Sequence, residues 1–183
     1  MLLKSSWFSA EILSGTFGAR AKPMKRDFAI LLAEDDENDS LLFSRTVAES
    51  ARQSGIRIEV RAVGDGDEAI AYLGGEGKYG DRGAYPFPGL IVLDLKMPRL
   101  SGLDVLKWLM EHPEYRRVPK ILMSGSSEER DIDAAYRLGV NTYFQKPGSL
   151  EEYRELIHIM VSYWAHTQRP VIYHPSAPPA EGL

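Results

Sequence analysis

The sequence predicts an α/β domain in which five parallel strands form one doubly wound sheet and five helices cover its two faces. Three observations carry that expectation. Short apolar runs alternate with longer amphipathic stretches from Phe28 to Trp164. Two runs, Phe28-Ala-Ile-Leu-Leu-Ala33 and Leu90-Ile-Val-Leu93, are apolar at every position, as a strand buried on both faces requires. Glycine or proline closes the helical stretches, at Gly55, Pro113 and Gly139.

The first strand breaks abruptly into Glu34-Asp35-Asp36, and a helix follows to about Ser54. Arg57–Val63 alternates polar and apolar residues, which places it near a sheet edge with one wetter face. Gly64-Asp-Gly66 turns into a short helix through Ala69, Ile70 and Leu73. Residues 74–89 hold six glycines and two prolines and read as an irregular loop. After the third strand, Ser101 caps a helix whose Leu103, Leu106, Leu109 and Met110 form one stripe. Val118–Met123 and Val140–Phe144 supply the last two strands, with a helix over 128–138 between them. The final helix puts Leu150, Tyr153, Ile157, Met160 and Trp164 on one face. These elements make one domain over residues 27–167. Residues 1–26 are a weakly patterned extension in which Met24 is an alternative start. Residues 168–183 form a second extension, first an interface and then a proline- and alanine-rich disordered tail.

A formal charge of −4 argues against a dedicated nucleic-acid surface. Without cysteine there is no disulfide, thiolate metal site or cysteine nucleophile, which suits a reducing cytoplasm. No apolar run approaches the roughly 20 residues that span a bilayer, so no membrane association is expected. The stretch behind Met1-Leu2-Leu3-Lys4 carries Glu11, Gly15 and Arg20 and does not form a signal-peptide core.

In a doubly wound sheet the ligand sits outside the carboxyl ends of the strands. Those ends carry Glu34-Asp35, Asp94, Ser124 and Lys146-Pro147, and nothing comparable lies at the opposite ends. Three carboxylates in one crevice repel each other unless a cation neutralises them, and magnesium suits a small set of hard oxygen donors. A lysine and a hydroxyl opposite them suit a phosphoryl group. Any one of these acids alone reads equally well as a helix cap.

In order and spacing, Ile30-Leu-Leu-Ala-Glu-Asp-Asp36, Ile91-Val-Leu-Asp-Leu-Lys-Met-Pro-Arg-Leu-Ser-Gly102, Ile121-Leu-Met-Ser-Gly125 and Tyr143-Phe-Gln-Lys-Pro147 resemble the receiver domain of response regulators, a flavodoxin-like fold. The resemblance covers residues 27–167. It implies that Asp94 is the phosphoacceptor and that Mg2+ is held by Asp35, by Glu34 directly or through water, by Asp94, and by the backbone carbonyl of Lys96. It also implies that Ser124 and Lys146 bind the phosphoryl group, that Ser124 and Tyr143 form the conformational switch, and that the Lys146–Pro147 bond is cis. Asp36 is expected to cap a helix or support the site rather than ligate. Two residues depart from the family pattern. Lys96 stands where an uncharged polar residue is common, and Gly148 replaces a bulkier one.

Softer features narrow the resemblance. Lys78-Tyr79-Gly80 in the long loop, His112-Pro113, Arg116-Arg117-Val118-Pro119, Ser126-Ser-Glu-Glu129 and Tyr163-Trp164 look like the stand-alone response regulators of bacterial phytochrome histidine kinases. The implied partner is a sensor histidine kinase, with a homodimer formed through the fourth helix, fifth strand and last helix. With only a short remainder after the last helix, no DNA-binding module is expected. Two other functions fit a strand-end aspartate. A haloacid dehalogenase-type phosphatase would need an acid at position 96, which is lysine. A pseudo-receiver scaffold would not need the full set of Glu34, Asp35, Asp94, Ser124 and Lys146.

Overall fold

The computed structural model describes residues 28–168. The expectations about residues 1–26 and about the extension after residue 168 lie outside that range. Strands β1 (Phe28–Ala33), β2 (Ile58–Val63), β3 (Leu90–Asp94), β4 (Lys120–Ser124) and β5 (Thr142–Gln145) alternate with helices α1 (Glu37–Ser54), α2 (Gly66–Gly74), α3 (Gly102–Glu111), α4 (Glu129–Arg137) and α5 (Leu150–His166). Every strand pairs in parallel, in the order β2-β1-β3-β4-β5.

The period-two geometry of a strand divides each apolar run between two cores. Leu31, Ala33, Ile91, Leu93 and Leu122 face α2 and α3, where Leu73, Leu106 and Leu109 are buried. Ile30, Leu32, Leu90, Val92 and Met123 face α1 and α5, against Phe43, Val47, Ile157 and Met160. Burying a large aliphatic side chain contributes about 1.5–3 kcal/mol, so the three central strands anchor both layers. The edge strands β2 and β5 are only partly buried, as the alternation in β2 predicts.

Asp36 accepts the amides of Asn38 and Asp39 and starts α1, and Gly55 ends it in the left-handed conformation. Ser101 and Asp104 close a reciprocal capping box on α3.

Several expectations need correction. Met110 is 46% exposed and Val105 takes its place in the α3 stripe, because the buried arc follows 102-105-106-109. Leu150 is exposed at the first turn of α5, ahead of the face that meets the sheet. Trp164, by contrast, keeps to the expected face and packs on the α1–α5 core with Tyr153, Ile157 and Met160. Residues 74–89 are also more ordered than their glycines suggest. A 3-10 turn at Gly77–Gly80 and a cluster of Tyr72, Tyr79 and Tyr85 fill the segment. Strand β4 begins at Lys120 because the Val118 amide is used by a turn to Tyr115 and Pro119 has no amide hydrogen.

Candidate functional site

The strand order changes direction between β1 and β3, and the crevice opens at their carboxyl ends. It is a cavity of about 530 Å³ whose walls include Glu34, Asp35, Asp94, Lys96, Ser124 and Lys146, so the strand-end residues predicted for the site converge. Asp94 is the last residue of β3, and Glu34 directly follows β1. Both side chains are buried. Gly102 brings α3 against the Asp94 carbonyl so closely that any Cβ there would overlap it.

Lys146 follows β5, and its amide donates to the Ser124 carbonyl at 2.7 Å. Its ammonium lies 2.7 Å from Glu34 Oε2, 3.0 Å from Asp94 Oδ1 and 3.1 Å from Asp39 Oδ2. Burial alone would push the Lys146 ammonium down. The Glu34 hydrogen bond and the Asp94 and Glu34 charges outweigh it and hold the group above the ordinary lysine value. Burial pushes the Glu34 carboxyl up, against the pull of Lys146. The Lys146–Pro147 bond is not cis: no described peptide bond is, and the ammonium reaches Asp94 without a cis bond.

Asp94 Oδ2 accepts the Lys96 amide at 2.6 Å, which leaves Oδ1 to Lys146. Asp36 points away into its capping role, so the neighbouring acids divide the work: Glu34 and Asp35 line the crevice, Asp36 holds α1. The oxygen donors of Glu34, Asp35 and Asp94 fit a hard divalent cation. Three carboxylates, Glu34, Asp94 and Asp39, surround one mostly buried ammonium, with Asp35 also lining the crevice, and that negative surplus favours a cation. Among the described residues, no three acidic or imidazole groups already converge at ligating distance. Glu34 is held by Lys146 instead.

Ser124 is buried, and its hydroxyl accepts the Ser126 amide at 3.0 Å. Tyr143 donates its hydroxyl to the Ser126 carbonyl at 2.9 Å. The two switch candidates therefore meet at Ser126, whose own hydroxyl donates to Asp131 on α4 at 2.8 Å. Neither Ser126 nor Asp39 was anticipated as part of this network. Asp39 lies in the first turn of α1, and nothing local in the sequence marks it as a partner of Lys146, which is 107 residues away. Lys120, at the opposite end of the sheet, was also missed. It is buried, donates to the Arg116 and Val118 carbonyls, and burial pushes its ammonium down.

Residues 30–158 match the family model of the response regulator receiver domain. The response regulator Rcp1 of Synechocystis is 35% identical over 138 residues, covering 75% of this chain and 89% of that protein. Among solved structures, the phosphorylated cyanobacterial phytochrome response regulator RcpA aligns with a TM-score of 0.73 at 33% identity, over 80% of this chain and 100% of that one. The Mn(2+)-bound form of Rcp1 aligns with a TM-score of 0.70 at 33% identity, over 79% of this chain and 99% of that one. No helix among the described residues is long and apolar enough to cross a membrane.

Proposed function

The chain belongs to the response regulator receiver domain family, and on that premise we propose that Asp94 accepts a phosphoryl group from the phosphohistidine of a sensor histidine kinase. Receiver domains are signalling proteins that bind a divalent metal, which we infer here to be magnesium. The observation that carries the reading is the Lys146 ammonium 3.0 Å from Asp94 Oδ1, inside a crevice shared with Glu34 and Asp35.

The chemistry follows from that placement. An Asp94 carboxylate oxygen attacks phosphorus, the bond from phosphorus to the donor nitrogen breaks, and an acyl phosphate results. Lys146 would balance charge on the phosphoryl oxygens, and its partial burial would strengthen that interaction. Glu34, Asp35, Asp94 and the Lys96 carbonyl would hold the magnesium, which neutralises the oxygens being transferred. Ser124 would then turn its hydroxyl from the Ser126 amide toward the phosphoryl group. Tyr143, bonded to the same residue, would follow, so that β5 and α4 shift between two populations. The same site would slowly hydrolyse its own acyl phosphate. Likeness to RcpA and Rcp1 supports a phytochrome-type kinase as the donor and the cytoplasm as the setting.

The test is intact-mass measurement after incubation with magnesium and a small phosphodonor. The wild type should gain one acid-labile, hydroxylamine-sensitive phosphoryl group, and Asp94→Asn should gain none while keeping its circular dichroism. Undiminished labelling of the variant would sink the assignment.

A further inference from the structure

Three carboxylates surround the Lys146 ammonium, and an ammonium has three hydrogens to give. Two of the three, Glu34 and Asp94, also line the crevice and belong to the set that would hold a cation. The third is different. Asp39 belongs to α1 and is half-exposed, and its main chain is fixed by the amide bond to the Asp36 cap at 3.0 Å. It reaches Lys146 from outside the cavity walls.

We propose that Asp39 is a positioning residue for Lys146, anchoring the ammonium over Asp94 when a cation and a phosphoryl group draw on Glu34 and Asp94. The inference rests on the phosphoacceptor reading above. Lys146 sits just past the end of edge strand β5, and its four-carbon stem has many rotamers. Glu34, Asp94 and Asp39 together hold it in place. Once Glu34 and Asp94 are shared with a divalent cation, Asp39 is the carboxylate left to Lys146 alone, in the capped first turn of α1. An exposed ion pair in isolation contributes little. This one has an end that is mostly buried, since only 17% of the Lys146 side chain is exposed.

The test uses the full chain, with Asp39→Asn as the neutral isostere and Asp39→Glu as the conservative rescue. In the magnesium-saturated wild type, nitrogen-15 NMR should show a slowly exchanging Lys146 ammonium. That resonance should vanish in D39N and return in D39E. Phosphorylation by a small phosphodonor should slow roughly five-fold in D39N, the scale of one such ion pair. In a Lys146→Met background the same substitution should change nothing, because an anchor without its lysine has no role. A resonance absent from the wild type or unchanged in D39N overturns the proposal, as does an equal slowing without Lys146. If the wild type takes up no phosphoryl group, the phosphoacceptor reading fails, while the ammonium spectrum still decides whether Asp39 anchors Lys146.

Discussion

Asp35 and Asp36 are adjacent carboxylates with separable work, and removing each should break a different property. Asp36→Ala deletes the acceptor for the Asn38 and Asp39 amides and should cost about 1 kcal/mol of stability, read by urea unfolding. Magnesium affinity should barely move. Asp35→Asn should do the reverse, weakening magnesium binding strongly with little loss of stability, and equal effects in titration would show the acidic set misplaced by one residue. Asp94, Glu34 and Lys146 were legible from sequence because a strand end fixes where its next residue points. Asp39, Ser126 and Lys120 were not, for a common physical reason. Asp39 pairs with a lysine 107 residues away, Lys120 bonds main-chain carbonyls, and Ser126 meets Tyr143 through a main-chain carbonyl that any residue would offer. The reversed expectation for Lys146–Pro147 came from family resemblance rather than from any interaction of these residues.

At the scale of elements, core positions follow from alternation and helical spacing, while the course of the long loop does not. Glycine and proline mark residues 75–89 as irregular, yet aromatic packing organises them. Tyr72 donates to the Pro86 carbonyl at 2.7 Å, and Arg82 donates to the Tyr72 and Leu73 carbonyls at the end of α2. Burial pushes the Tyr72 phenol up to about 12. A raised folded-state value means that the stability it contributes is whole below the ordinary phenol value of about 10. That stability is lost as the pH rises toward about 12. Absorbance titration should therefore show a late-ionising tyrosine that Tyr72→Phe removes, with stability becoming less dependent on pH in that window. Gly102 offers a second element-level test, because α3 docks on the Asp94 carbonyl only without a Cβ. Gly102→Ala should lose about 1–3 kcal/mol and slow phosphorylation, since the overlap can be relieved only by moving Asp94 or α3. Gly148→Ala meets nothing within 4 Å and should be neutral in thermal unfolding.

For the whole molecule, the question is what covers the side of the sheet that ends in β5. Among the described residues its strand pairs with another strand on one side only, and its side chains are only partly buried. Ile159 and Tyr163 lie one turn apart on α5 and are 54% and 61% exposed, and Tyr136 on α4, whose hydroxyl accepts the Tyr143 amide of β5, is 51% exposed. Large exposed apolar groups on a helix face mark an interface more often than a solvated face when they cluster. A two-fold axis there would set each patch against its own copy. Because Trp164 packs inward, the patch consists of Ile159, Tyr163 and Tyr136 rather than the helix end. Tyr143 lies in that same edge strand, so phosphorylation that moves it should tighten pairing by linkage. Light scattering of the full chain should give a dimer, with a lower dissociation constant after treatment with phosphodonor. Ile159→Glu should give a monomer that still accepts the phosphoryl group, which separates pairing from the Asp94 chemistry. A chain ending at His166 would isolate the share of α5 from that of Val171, Ile172 and Tyr173. A wild type that stays monomeric at high concentration, with and without phosphodonor, rules the dimer out and leaves the β5 edge for a different partner.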